Sequence, residues 1–252
     1  LKTKTIELQE TEALLRLSGG DGRKLLNTFE LIVNATPEGE PVVITNDSVL
    51  RLVQKNTVLY DKTGEQHYDI ISAFIKSIRG SDPNGAVYWL ARMIEGGEDV
   101  KFIARRMLIL ASEDIGNANP TAMILANNTF QAVTTIGYPE ARIILSQCAI
   151  YLASSPKSNA SYKAINKAQQ VVKQTGDLSV PIHLRNAPTK LMKELGYGKD
   201  YQYAHDYAHN FAFQDYLPDE LQGETFYEPS DNPRENALRD YLKKLWGERY
   251  GY

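Results

Sequence analysis

The sequence predicts an all-α protein, and three observations support this prediction. Apolar residues recur at helical spacing, for example at Ile70, Ile71, Phe74, Ile75 and Ile78. Short breaks that contain glycine or proline, such as residues 80–83 and 96–97, separate the apolar segments. Residues 143–152 are apolar on nearly every side, which is typical of a helix buried in a core or against another subunit. We therefore expect a bundle or array of helices.

Residues 1–60 predict a small helical unit with a linker at its end. Its expected elements are an amphipathic helix over 6–17, a helix from Asp21 to Val33, a turn at 37–41, a helix over 44–55 and a linker at 56–65. Glycine at positions 19 and 20 stops the first of these helices. Asp21 is the expected N-cap of the second helix, and Asn46 or Asp47 that of the third.

Residues 61–195 predict a longer helical array, and residues 196–252 a different kind of segment. The expected helices of the array begin near His67, Pro83, Val100, Pro120, Pro139 and Lys157. Seven aromatic residues then fall within 197–216. We interpret the segment after Leu195 as an irregular extension that packs on the bundle by its rings. A last helix is expected over 233–246.

Composition and charge exclude several classes of protein. Of the 252 residues, 42% are hydrophobic and 23% are charged, which is typical of an ordinary globular protein. The net charge of −3 argues against a chain that is strongly basic overall. The single cysteine, Cys148, excludes an internal disulfide, suits a reducing cytoplasm and is most simply a small core residue. We find no signal peptide and no apolar run long enough to span a bilayer.

The chain begins with Leu1 rather than methionine, and its first residues already have a helical pattern. We interpret this beginning as a boundary inside a longer protein. We therefore expect the function to depend on a preceding N-terminal part.

One segment, residues 154–193, differs in charge from the rest of the chain. Seven basic residues and the single acidic residue Asp177 give it a local net charge of +6. The basic residues are Lys157, Lys163, Lys167, Lys173, Arg185, Lys190 and Lys193. Such a segment can bind nucleic-acid phosphates, with an affinity that falls steeply as salt rises. It can equally be a solvated helix face that the acidic residues of 215–235 balance, and both interpretations stay open.

A glycine-rich segment at residues 19–24 resembles a phosphate-binding loop only superficially. A P-loop needs serine or threonine after the lysine, whereas Leu25 follows Lys24. Arg23 still lies in the first turn of an expected helix, where an anion can bind. The alternative is a corner between two helices with Arg23 in solvent.

Two further patterns suggest chemistry only weakly. His205 and His209 have the spacing of a helical zinc site, but no third ligand is apparent, so local hydrogen bonds explain them better. Glu113 and Asp114 are adjacent, and neighbours on a helix point in different directions. We expect them to form a polar helix end that pairs with Arg105 or Arg106. No residue pattern predicts a metal site or a catalytic residue in this chain.

Several stretches resemble a known family over nearly the whole length. The segment SGGDGRKLLNTFE (18–30) is similar to the lid of clamp-loader-type AAA+ ATPases. The stretches SIRGSDPNGAVYWLARM (77–93), SEDIGNANP (112–120), VPIHLRNAPTKLMKELGYGKDYQYAHDY (180–207) and YLPDELQGETFYEP (216–229) resemble the replication-associated recombination protein A family. This family is also called maintenance-of-genome-stability protein A, and its eukaryotic relatives are Werner-helicase-interacting proteins.

The resemblance implies an AAA+ ATPase that acts at stalled or gapped replication forks, with its Walker motifs N-terminal to Leu1. It implies that this chain holds the lid and a clamp-loader-like helical domain that forms homotetramers. Arg23 matches the lid arginine, called sensor 2, that reaches the phosphates of ATP. ATP and Mg²⁺ are then cofactors of the full-length protein and are not expected to bind this chain alone. The implied partners are single-stranded or fork DNA and replication proteins such as single-stranded-DNA-binding protein, in a nucleoid-associated cytoplasmic setting without a membrane.

Two other functions remain as alternatives. A free-standing helical nucleic-acid-binding module would use Lys157, Lys163, Lys167 and Lys173, and a salt-sensitive DNA titration would support it. A metal hydrolase would use His205 and His209, and stoichiometric zinc would support it. A Walker A motif immediately upstream of Leu1 would favour the AAA+ interpretation.

Overall fold

The computed structural model describes residues 4–18, 22–37, 39–52 and 65–252. The described residues form two compact units. The first extends to Ile71 and includes Arg92–Glu98, and the second comprises Ser72–Ala91 and Asp99–Tyr252. The predicted linker at 56–65, except its last residue, and the predicted cap residues 19–21 lie outside the described residues. The predicted division at residues 60 and 195 stays a prediction.

The first unit contains β1 (Ile6–Leu8), α1 (Glu12–Ser18), α2 (Gly22–Ala35), β2 (Val42–Ile44) and α3 (46–52). Strands β1 and β2 pair in parallel, with Ile6 opposite Val42 and Leu8 opposite Ile44. Val42 and Ile44 are fully buried in a small core with Val49 of α3. The core thus forms where β2 packs with the helices of this unit.

Three predictions for this unit are wrong. Residues 6–8 were expected to be helical and form β1, and Ile44 was expected to begin a helix but ends β2. A three-residue strand is too short to show alternation, and its partner is distant in sequence, so the local pattern carries no signal for it. The cap of α3 is also wrong, because Thr45 and Ser48 bond each other's backbone N–H reciprocally. Asn46 instead accepts a hydrogen bond from the Ala13 N–H at the start of α1.

The helices that follow confirm the all-α prediction. They are α4 (Glu65–Arg79), α5 (Pro83–Glu95), α6 (Val100–Leu110), α7 (Thr121–Ile136), α8 (Ala141–Ala153), α9 (Ala160–Thr175), α10 (Lys190–Glu194) and α11 (Pro233–Trp246). Helix α7 packs against both α6 and α8. Phe74, Ile103 and Leu145 are fully buried in the second unit. Glycine ends several of these helices, as the breaks in the sequence predict.

The extension after α10 is irregular, and part of it packs by aromatic rings as predicted. Phe211, Phe213 and Tyr216 contact the ring of Trp246 on α11, at centroid distances of 5.0–6.2 Å. The start of α11 is fixed by Asn232, which caps Glu235, while the buried Glu235 carboxylate accepts hydrogen bonds from Asn232 and Tyr227. The extension is therefore held to α11 at both ends of that helix.

Within the described residues, the structure contains no helix that is both long and apolar enough to cross a membrane.

Candidate nucleic-acid interface

Helix α9 carries three of the four lysines predicted to bind DNA, and it is an unusually exposed helix. Its sequence is strongly amphipathic, yet its only buried residue is Ala160. Ile165 and Val172 on its apolar side are 55% and 59% exposed. An amphipathic helix normally buries its apolar side, so this side of α9 is a candidate contact surface.

The three lysines of α9 do not share one face. Lys163 and Lys167 are four residues apart and lie on the same side of the helix. Lys173 is six residues beyond Lys167, and at 3.6 residues per turn it points about 120° away. The structure therefore brings together two of the predicted DNA-binding residues and places the third on another face.

Lys167 is held by the extension. Its Nζ atom donates to the Thr225 carbonyl at 2.5 Å and lies 3.3 Å from the Glu224 carboxylate. The same ammonium lies 5.8 Å from the centroid of the Phe226 ring. Three consecutive residues thus contact the ammonium group of Lys167, whose side chain is still about half exposed.

Lys157 lies before α9 and caps the C-terminal end of α8. Its Nζ donates to the backbone carbonyls of Leu152, Ala153 and Ser155 at 2.6–3.1 Å, and to the Ser81 hydroxyl at 3.0 Å. Desolvation by burial lowers the pKa of this ammonium. A cation at a helix C-terminus satisfies carbonyls that have no partner within the helix. This role is structural, and a DNA contact by Lys157 stays a prediction.

We expect Lys157→Met to destabilise the chain by about 1–3 kcal/mol, because charged hydrogen bonds to buried carbonyls are lost. The midpoint of urea unfolding, followed by circular dichroism, measures the change. Lys163→Met is the matched control, because Lys163 is exposed and should shift stability by less than about 0.5 kcal/mol. Equal midpoints for the two variants would show that the cap contributes nothing.

Two stretches that carry the family resemblance meet beside this cap. Arg79, from SIRGSDPN, donates to the Asp114 carboxylate at 2.7 Å, and Glu113 lies 3.9 Å from the same guanidinium. The pairing predicted with Arg105 or Arg106 is therefore wrong, because those residues lie on α6 itself, whereas α4 brings Arg79 to the carboxylates.

A π-helical turn over Ala111–Ile115 positions these carboxylates. The backbone carbonyl of Asp114 accepts a hydrogen bond of 2.8 Å from the Ser158 N–H, just before α9. Gly116 follows with φ +49°, and a Cβ there would lie 3.1 Å from the Ser158 carbonyl. These contacts of Asp114 and Gly116 with Ser158 therefore fix where α9 starts.

A groove of about 450 Å³ runs between α9 and the extension. Small or apolar residues of α9 form one wall, and Phe226 forms the other. Asn117 lies at one end, and its amide is 3.5 Å from the Ser161 hydroxyl. The sequence patterns did not predict this groove, because Asn117 and Phe226 are more than a hundred residues apart.

Arg23 lies in the first turn of α2, and its side chain is exposed. The guanidinium is therefore on the surface of the first unit, at a helix N-terminus, which suits contact with an anion. The side chain of Lys24 lies outside the described residues. The sensor-2 role of Arg23 stays a prediction.

The histidine pair does not have the geometry that a helical zinc site needs. His205 and His209 lie in two separate short turns, and His209 has φ +61°. His205 lies 3.3 Å from the Asn210 side-chain oxygen. Across the part of the chain that the structure describes, no group of three or more histidine, cysteine or acidic residues is placed to hold a metal.

Comparisons with known proteins agree with the fold and with the motifs. The family described as "MgsA AAA+ ATPase C terminal" matches residues 80–246, and the family described as "AAA C-terminal domain" matches residues 2–79. Replication-associated recombination protein A of Coxiella burnetii is 44% identical over 209 residues, which cover 82% of this chain and 48% of the relative.

Two other relatives extend this similarity. The Bacillus subtilis protein of the same name is 43% identical over 245 residues, covering 96% of this chain and 58% of the relative. ATPase WRNIP1 of Dictyostelium discoideum is 39% identical over 211 residues, which cover 77% of this chain and 24% of the relative. The chain spans about half the length of the bacterial relatives named here. Because one family covers about two thirds of the sequence, the chain belongs to the MgsA AAA+ ATPase C-terminal family.

Proposed function

We propose that this chain is the C-terminal lid and tetramerisation region of a DNA-dependent AAA+ ATPase that acts in DNA replication, recombination and repair at stalled forks. The names of its relatives support the setting, because they include a replication-associated recombination protein and an ATPase. The observation that carries the proposal is the exposed apolar surface of the second unit.

That surface lies on α7 and α8. Ile143 and Ile150 are seven residues apart on one side of α8, and they are 59% and 44% exposed. Met123, Ile124 and Ile136 on α7 add further exposed apolar area. Exposed aliphatic side chains on two helices that pack together favour a contact with other subunits. Four copies arranged with dihedral symmetry would close such an assembly.

The nucleotide belongs to the full-length protein. In this proposal ATP and Mg²⁺ bind the preceding ATPase module, and Arg23 donates hydrogen bonds to the phosphates. The exposure of Arg23 at the start of α2 fits this role, since a guanidinium can reach a phosphate only from the surface. Its charge would stabilise the negative charge that develops on the transferred phosphoryl group.

DNA contact is proposed at the face of α9 that carries Lys163 and Lys167. Single-stranded or fork DNA is the proposed ligand, and replication proteins such as single-stranded-DNA-binding protein are proposed partners in the cytoplasm at the nucleoid. Phosphate contacts give affinity without sequence preference, which suits a protein that meets forks anywhere in a genome.

We expect Lys163→Glu/Lys167→Glu to weaken binding of single-stranded DNA by at least about tenfold and to lower the salt dependence of the binding constant. Each lost phosphate contact should reduce the slope of log K against log salt by about 0.7. Fluorescence anisotropy at several salt concentrations measures both quantities. Lys76→Glu/Lys101→Glu is the matched control, because both lysines are exposed and lie outside residues 154–193. If both double variants bind alike, α9 is only a solvated face.

A free-standing nucleic-acid-binding module is the second candidate, and the same lysines support it. Comparing ATP turnover of the full-length protein with and without single-stranded DNA separates the two. The AAA+ proposal expects DNA to raise turnover and expects the α9 double variant to remove that rise. DNA binding with no ATP turnover in either condition would favour the second candidate.

A further inference from the structure

The groove beside α9 has features that suit a planar ring more than an aliphatic chain. Ser161, Ala164 and Ala168 repeat every three or four residues along the wall of α9, and the aliphatic side chain of Ile165 borders them. Phe226 is only partly buried and lines the opposite side. A flat group of nucleobase size can therefore lie between the wall of α9 and an aromatic ring.

Polar groups lie at one end of this groove. Asn117 and Ser161 lie there with Tyr227, whose hydroxyl donates to Glu235 at 3.1 Å. An asparagine amide both donates and accepts hydrogen bonds, which matches the mixed donors and acceptors on a base edge.

Lys167 is the basic residue of α9 nearer to the groove. Measured from the centre of the four α9 residues that line the groove, Lys167 lies about 110° round the helix axis, and Lys163 lies about 150° round on the same side. The Lys167 ammonium also lies beside the Phe226 ring. Positive charge next to an aromatic wall is the arrangement by which proteins hold single-stranded nucleic acid, with phosphates on the cations and bases on the rings.

We propose that the groove formed by α9, Asn117 and Phe226 binds one nucleobase of single-stranded DNA, while the neighbouring phosphates contact Lys163 and Lys167. This inference rests on the proposed DNA contact of α9 and adds the base site to it. Glu224 is the intramolecular anion that the DNA phosphate replaces at Lys167. No covalent step is involved.

The test compares a short oligothymidine with an abasic strand of the same length, both labelled for anisotropy. The unaltered chain should bind the oligothymidine more tightly, because only that strand has bases to insert. Phe226→Leu should weaken oligothymidine binding by about fivefold or more and leave abasic binding unchanged. Phe226→Tyr keeps the ring and should restore the affinity.

Two further variants keep the test decisive if Phe226→Leu folds poorly. Ala168→Leu fills the groove from the helix side and should also weaken only the oligothymidine. Glu224→Gln removes the competing anion and should tighten binding of both strands. Circular dichroism of each variant checks that the fold is retained.

The possible results separate the base site, the lysine contact and a contact between copies of the chain. If both strands bind the unaltered chain equally, or if Phe226→Leu and Ala168→Leu bind oligothymidine normally, the base site is wrong while the lysine contact stands. If Ala168→Leu changes the mass of the assembly and not the DNA affinity, the groove is a contact between copies of the chain. If neither strand binds the unaltered chain, the DNA contact of α9 is itself wrong, and the base site falls with it.

Discussion

Replacing Arg23 by alanine in the full-length protein should lower the rate of ATP hydrolysis by about a hundredfold. The proposed role of the guanidinium is to donate to phosphate oxygens as charge develops in the transition state. Removing one such preorganised donor commonly reduces turnover by about 10²–10³-fold. Because Arg23 is exposed at the start of α2, its loss should leave the fold intact. Steady-state turnover at saturating ATP measures the effect.

Three controls separate a catalytic effect from a structural one. Arg16→Ala removes another exposed arginine of the same unit and should leave turnover unchanged. Arg23→Lys keeps the charge but loses the two-pronged donor, so partial activity is expected. The mass of the assembly should be the same for every variant. Turnover of Arg23→Ala equal to that of the unaltered protein would remove Arg23 from the nucleotide site.

Replacing Ile143 and Ile150 together by aspartate should dissociate the assembly into monomers. Both side chains lie on one exposed side of α8, so the substitutions should not disturb the core formed by Leu145, Cys148 and Leu152. In an oligomer they would place two unpaired carboxylates inside each apolar contact, which costs several kcal/mol per group. Light scattering on the purified variant measures the mass.

Leu191→Asp is the matched control for this prediction. Leu191 is also aliphatic and is 65% exposed, but it lies on α10 rather than α8. Its replacement should leave the mass of the assembly unchanged. A double variant that keeps the mass of the unaltered chain would show that α8 faces solvent in the assembly.

Cys148 illustrates a residue whose environment follows directly from its sequence context. The prediction of a small core residue is confirmed, because the side chain is buried on the inner side of α8. Burial raises the pKa of the thiol to about 11. The thiol therefore stays protonated at neutral pH and is a poor nucleophile while the chain is folded.

Most of the long helices could be predicted, because their apolar residues repeat with the helical period and glycine or proline marks their ends. Helix α11 has the predicted bounds of 233–246, and α5 begins at Pro83 as predicted. The strands could not be predicted. The pair Ile6–Leu8 and Val42–Ile44 forms through tertiary contact between segments that are far apart in the chain.

The candidate site was predicted only in outline. The charge of residues 154–193 singled out Lys157, Lys163, Lys167 and Lys173 as a group, and the structure places only Lys163 and Lys167 on the same side of α9. The spacing gave no sign that Lys157 caps α8 or that Lys167 contacts Thr225, since both depend on how the chain folds back. The groove was even less predictable from the sequence, because its walls come from α9 and from a distant segment near residue 226.

The central proposal is that this chain forms tetramers through its second unit, and its mass in solution tests that proposal most directly. Light scattering at micromolar concentration should give about four times the 28.3 kDa of one chain. This expectation follows from the exposed apolar side chains of α7 and α8, which a subunit contact would bury. A mass near 28.3 kDa at that concentration would contradict the account.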